Sequence, residues 1–144
     1  MALKSWFEIG KLIRHKTNRE ELEAIFSVID RCFNDAELKG LSSDQKYIIS
    51  YQAAFEVSRA FIYCHGYRPI KTGHHYIVWQ CMKDLVSADT RKTILLFETA
   101  AKKRNKLTYD IAGLASQKEA DEIYKEAKAF VDFIKEEIKK IDIK

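Results

Sequence analysis

Ser42-Ser43-Asp44-Gln45-Lys46-Tyr47-Ile48-Ile49-Ser50-Tyr51-Gln52-Ala53-Ala54-Phe55-Glu56-Val57-Ser58-Arg59-Ala60-Phe61-Ile62-Tyr63 decides how the chain folds. Ser42 to Gln45 match a capping box, in which a serine and a glutamine three residues on satisfy the first free N–H groups of a helix. From 44 to 65 the helix is apolar nearly all round. Tyr47, Ile48, Ile49, Tyr51, Ala53, Ala54, Phe55, Val57, Ala60, Phe61 and Ile62 leave one polar strip, made of Gln52, Glu56, Arg59 and Tyr63. A helix apolar on every side is buried on every side, so this one is the central helix of a bundle.

The flanking segments supply the surround. Asn18 caps a helix with Glu20 and Glu21 in its first turn, and Leu22, Ile25, Phe26, Ile29 and Phe33 follow at helical spacing until Gly40 ends the segment. Gly66-Tyr67-Arg68-Pro69-Ile70-Lys71-Thr72-Gly73 is the clearest loop. A third helix is predicted from about His74 to Val86, and Asp89 caps a fourth, which Gly113 breaks. Ser116-Gln117-Lys118-Glu119 is a second capping box, and Ile123, Ala127, Val131, Ile134, Ile138 and Ile141 stripe the last helix. No segment shows sustained period-two alternation, and no repeat is visible. The pattern predicts an all-α fold, an antiparallel up-and-down bundle of about five helices over residues 18–144. Residues 1–17 are an amphipathic N-terminal extension, with Trp6, Phe7, Ile9, Leu12 and Ile13 among lysines. It packs as a helix either on the domain or on a partner.

The 144 residues suit one domain, and one proline with five glycines leaves little room for long irregular loops. Net charge is +4, from 25 basic and 21 acidic residues, a mild bias toward anionic partners. Cys32, Cys64 and Cys81 are far apart with apolar neighbours and read as small core hydrophobes of a reducing compartment. The first sixteen residues lack the apolar run and cleavage site of a signal peptide, and nothing reaches the ~20 apolar residues of a membrane span. A cytoplasmic protein with no membrane contact is the expectation.

One residue breaks the pattern. At 100° per residue, Leu96, Phe97, Ala100, Ala101, Leu107 and Ile111 share an arc with Ile94 at its edge, and Arg104 falls in the middle of it. Asn105 and Tyr109 lie just beyond that edge, while Lys102, Lys103 and Lys106 point the other way, toward solvent. A guanidinium on a burial face is costly unless it is paired or the face meets a cleft or a second subunit. Either it pairs with a carboxylate in the bundle or it marks a functional site. Glu56 is one candidate partner, though it could equally pair with Arg59 or face water. The adjacent His74 and His75 diverge by 100° and do not converge on one ion, so neither metal nor cofactor is expected. They extend apolar faces, His74 with Val78, Cys81 and Leu85, and His75 with Trp79 and Met82, and read as structural, or else as catalytic or ligand-binding. No catalytic carboxylate pair, Gly-rich phosphate loop or nucleophile elbow is present.

Four features together resemble the HEPN superfamily (higher eukaryote and prokaryote nucleotide-binding domains). They are the helical order, the central Tyr51-Gln52-Ala53-Ala54-Phe55 with Ala60-Phe61, the turn Gly66-Tyr67-Arg68-Pro69 with Gly73-His74-His75, and Arg104-Asn105-Lys106-Leu107-Thr108-Tyr109-Asp110. The likeness covers about residues 20–138 and is to a small prokaryotic subgroup. It implies a homodimer joined along the helix of Arg104, acting as a toxin–antitoxin or defence component beside a nucleotidyltransferase antitoxin. It also implies binding of RNA or nucleotide and metal-independent ribonuclease activity. The family's motif is an Arg, a polar neighbour, then a His after four to six intervening residues. Arg104 and Asn105 match; the nearest histidine slot holds Tyr109, whose phenol titrates at about 10, far from the pH at which an acid or base works best. Arg104, Asn105 and Tyr109 are thus the catalytic candidates, and Arg104, Lys103, His74 and His75 the candidates for holding RNA or nucleotide. A two-fold axis would bring two Arg104 side chains to one cleft, where they could grip a phosphate. The alternative is a non-catalytic helical dimerisation module that binds the nucleotidyltransferase. A third reading is a purely structural bundle that assembles through its N-terminal segment.

Overall fold

The computed structural model describes residues 2–109 and 112–143, Tyr109 by its backbone alone. Ile111, placed by pattern in the apolar arc of Arg104, lies outside the described residues. The elements are α1 (Leu3–Glu8), β1 (Leu12–Arg14), α2 (Arg19–Ala36), α3 (Ser43–Cys64), β2 (Tyr67–Pro69), α4 (His74–Leu85), α5 (Ala88–Tyr109) and α6 (Gln117–Lys139). The fold is an all-α helical bundle, and no helix among the described residues is long and apolar enough to cross a membrane.

The centre is α3, which packs against α2, α4, α5 and α6. Tyr51, Ala53, Ala54, Val57, Ala60 and Ile62 are fully buried, and the small alanines let neighbouring helices come close. The polar strip is knitted into itself. Gln52 Nε2 donates to Glu56 Oε1 at 2.9 Å, Arg59 Nη2 donates to Glu56 Oε2 at 2.7 Å, and Arg59 Nη1 donates to the Tyr63 hydroxyl at 2.8 Å. Glu56 is therefore the partner of Arg59.

Polar contacts at the helix ends give the directions. Ser43 Oγ donates to Gln117 at 3.1 Å and Lys46 Nζ to Asp121 at 2.7 Å, so α3 and α6 start side by side. Lys103, late in α5, reaches Glu119 at the start of α6. Asp30 of α2 meets Lys135 near the far end of α6 at 3.8 Å. The four long helices α2, α3, α5 and α6 thus alternate in direction, with the shorter α4 set between α3 and α5. The caps are those expected at α2, where Asn18 accepts from Glu21 N at 2.8 Å, and at α6, where Ser116 and Glu119 form the full box. At α3, Ser42 Oγ accepts from Gln45 N at 3.1 Å. The fourth predicted helix starts earlier than its expected cap: α5 begins at Ala88, and Asp89 sits inside its first turn, where its charge favours the N-terminal dipole.

The expectation of helix alone is corrected at the N-terminal extension and the loop after α3. Leu12, Ile13 and Arg14 pair antiparallel with Pro69, Arg68 and Tyr67. His15 N donates to Gly66 O at 2.9 Å and Ile70 N to Lys11 O at 3.2 Å, closing the ladder at both ends. Strands of three residues are too short to show alternation. The extension packs on the domain: Leu3 and Leu12 are buried in the core, Trp6 Nε1 donates to Asp84 at 3.0 Å, and the Phe7 and Tyr67 rings lie 5.5 Å apart.

The buried arc of α5 also differs from the expected one. Ile94, placed at its edge, is fully buried, while Leu96, placed inside it, is 40% exposed. Phe97 is fully buried between Trp79 at 5.5 Å and Phe130 at 5.0 Å. Phe97→Ala should therefore destabilise the fold by about 3–5 kcal/mol, and Leu96→Ala by less than about 1 kcal/mol, measured as urea midpoints with unchanged slope. Equal losses would contradict this docking of α5.

Candidate functional site

Three helices meet around Arg104. On α5 it follows Phe97 and Ala100 on the buried face, and its side chain is half-buried. Nη1 donates to the neighbouring Asn105 Oδ1 at 3.1 Å. The buried Nε has no acceptor, and no carboxylate pairs with the guanidinium among the described residues. From α4 come His74 and His75, both half-buried, their rings 4.6 Å apart. From α3 come Tyr51 and Phe55. The Phe55 ring stacks on His75 at 3.9 Å and meets His74 edge-on at 5.5 Å.

A line of hydrogen bonds runs through the floor of this cluster. Trp79 Nε1 donates to the Tyr51 hydroxyl at 2.9 Å, and that hydroxyl lies 2.8 Å from His75 Nδ1. Burial pushes the His75 imidazole down to about 4, helped by the charges of His74 and Arg104, so it is neutral at pH 7. Burial likewise raises the Tyr51 phenol, against the opposing pull of the Trp79 hydrogen bond and the Arg104 charge. Arg104 is thus close enough to bias both groups. The cluster offers a fixed cation, two imidazoles and an aromatic wall, the components of an anion-binding site with stacking surfaces.

The sequence-predicted residues divide as follows. His74 and His75 come together, Arg104 is near enough for its charge to act on His75, and the exposed Asn105 is bound to Arg104. The Tyr109 side chain lies outside what is described. Lys103 departs from its expected outward position: it is half-buried, ion-paired to Glu119, and its Nζ stands 5.4 Å over the Tyr47 ring. The start of α6 packs along that flank of α5, so the lysine is engaged there, whereas Lys102 and Lys106 are exposed. The pattern places Tyr51, Phe55 and Trp79 on apolar faces and gives none of them a role at the site. The available signal was the buried polar tips of Tyr51 and Trp79, which seek hydrogen-bond partners.

His65 is exposed and packs edge-on against Phe61 at 4.9 Å. Among the described residues no cluster of His, Cys, Asp and Glu is placed to hold a metal ion. A groove of about 660 Å³ over Leu22, Phe26, Ile138 and Ile141 lies at the other end of the bundle and contains none of these residues. Comparison with protein-family models, curated proteins and solved structures finds no match to this chain.

The depressed His75 has a consequence for stability. Unfolded, it takes up a proton below about pH 6.5; folded, it stays neutral to about 4. Its contribution is complete above pH 6.5 and is lost as pH falls toward 4. Urea unfolding at pH 7 and pH 5 should therefore show a larger loss in the wild type than in His75→Gln. The same pH dependence in both would mean that His75 titrates normally in the fold.

Proposed function

We propose that the chain is a HEPN-like homodimer of the toxin–antitoxin or defence kind, holding RNA or nucleotide phosphate at a cleft to which each copy brings Arg104. The observation that carries this reading is the guanidinium in the middle of the buried face of α5, without a carboxylate among the described residues and beside His75. A charge so placed is costly to the fold alone, and an anionic ligand supplies what it lacks. Two Arg104 side chains across a two-fold axis would grip a phosphate with charge-assisted, two-pronged hydrogen bonds. The motif histidine absent at position 109 has a substitute in His75 from α4, which keeps metal-independent RNA cleavage within this reading. The setting is the cytoplasm, in keeping with three cysteines that are free thiols.

The alternative, a non-catalytic dimerisation module for a nucleotidyltransferase partner, is favoured by one observation. An imidazole pushed down to about 4 is a poor proton shuttle at neutral pH.

The test is affinity for an RNA oligonucleotide and for a nucleotide. Arg104→Ala should lose on the order of 1.5–3 kcal/mol of binding, the worth of a charged hydrogen bond. Lys103→Ala, whose lysine is engaged with Glu119, should lose less than about 1 kcal/mol. Equal losses would replace the cleft with a diffuse basic surface. A monomer in the ultracentrifuge at micromolar concentration would remove the composite cleft, and toxicity on expression, lost in Arg104→Ala, would separate a toxin from an inert module.

A further inference from the structure

The seam between α5 and α6 is pinned at two levels, by the Phe97 and Phe130 rings at 5.0 Å and by the ion pair of Lys103 with Glu119. Between the pins the helices leave a groove of about 470 Å³ that contains none of Arg104, His74 and His75. Its floor is apolar, made of the buried Tyr47 and Ile123. On the α5 wall stands the exposed Leu96, with Leu95 beside it also exposed. Thr99, on the same wall, donates its hydroxyl to Leu95 O at 3.1 Å, so that proton is spent inside the helix. The α6 wall is acidic. Glu119, Glu122 and Glu126 follow at three- and four-residue spacing and form one ridge. Glu119 closes the capping box and holds Lys103, the one cation in the lining among the described residues. Glu122 and Glu126 have no ion pair among the described residues. They lie past the first turn, where the helix dipole no longer favours an acid, and like charges four residues apart weaken a helix. A chain of net charge +4 thus carries, along an open apolar groove, two carboxylates that cost its own helix stability.

We infer that this groove docks a cationic amphipathic helix of a partner protein. Apolar side chains of that helix cover Tyr47, Ile123 and Leu96, and its lysines or arginines lie along Glu122 and Glu126. The acidic ridge sets the sign of the partner: it repels nucleic acid and anionic membrane and draws in a cation. The apolar floor demands that the cation come with a hydrophobic face. The walls decide the partner's backbone. Both are helices whose backbone N–H groups are bonded within themselves, so an extended peptide finds no ladder to join. A helix brings its backbone already satisfied, and its anchors repeat at the same three- and four-residue spacing as the ridge. The surface is separate from the Arg104 cluster and stands or falls independently of the function proposed there.

The test is calorimetry on the full chain with synthetic peptides of about sixteen residues, long enough for an isolated helix to form. One carries leucine along one face with lysine flanking it. A second has glutamate in place of lysine, and a third is the first with its residues scrambled. The lysine helix should bind about tenfold tighter than either control, and its affinity should fall with added salt. Glu122→Lys combined with Glu126→Lys changes only exposed side chains. It should weaken the lysine helix about tenfold and make the glutamate helix the better ligand. Leu96→Ala, in the protein of otherwise unchanged sequence, should weaken the lysine helix as well. Equal binding of the lysine helix and its scramble overturns the inference, and so does a preference for lysine that survives the double charge reversal. Competition by spermidine, a cation with no apolar face, at the same concentration as the peptide leaves only a diffuse acidic surface and overturns it too. A change of oligomeric state on the double reversal, seen in the ultracentrifuge without peptide, makes the occupant a second copy of this chain and overturns the partner assigned here.

Discussion

A helix with only one narrow polar strip has to be surrounded on its other sides, and that constraint on α3 organises the molecule. Its fully buried Tyr51, Ala53, Ala54, Val57, Ala60 and Ile62 point in all directions, so α2, α4, α5 and α6 must each cover a side. The polar atoms that α3 carries inward then need partners of their own. On one flank Gln52, Glu56, Arg59 and Tyr63 satisfy each other along the helix. At the Tyr51 hydroxyl the partners come from α4, and this single buried oxygen sets the orientation of His75. The candidate site is thus a by-product of satisfying a buried tyrosine, placed where α5 brings in a charge.

The N-terminal extension matters because α4 is short and carries both histidines. Its lead-in is tied by the β1–β2 ladder, which fixes the chain at Gly66 and Ile70 ahead of His74. Its C-terminal turn is tied by Trp6 to Asp84, and by Lys83 to Glu98 of α5 at 2.6 Å. A helix of twelve residues has little stability of its own. Held at both ends and packed through Ile77, Val78, Trp79, Cys81 and Met82, it becomes a rigid carrier for the two rings.

Periodicity made the long elements legible, and capping chemistry placed the starts of α2, α3 and α6, because each depends on residues close in sequence. Arg104 was legible for the same reason: its misfit is a property of one helix. What could not be read depends on contacts between elements. The pattern leaves Glu56 with several partners, and only the folded side chains single out Arg59, one turn away at 2.7 Å. The pattern points Lys103 to solvent because nothing within α5 reveals that α6 starts alongside it. The β1–β2 pair joins two tripeptides more than fifty residues apart. The Tyr51–His75 bond spans 24 residues and two helices, and neither residue departs from its local pattern.

The central claim is that Arg104 is kept for what it binds and contributes nothing to the fold. Unfolding of Arg104→Met in urea, without ligand, tests this most directly, since methionine keeps the bulk of the side chain and removes the charge. The account predicts stability equal to or above that of the wild type, as expected when a half-buried charge with no carboxylate partner among the described residues is replaced by an apolar group. A loss of about 3 kcal/mol or more, the usual penalty for breaking a buried ion pair, would make Arg104 a structural residue and contradict the account.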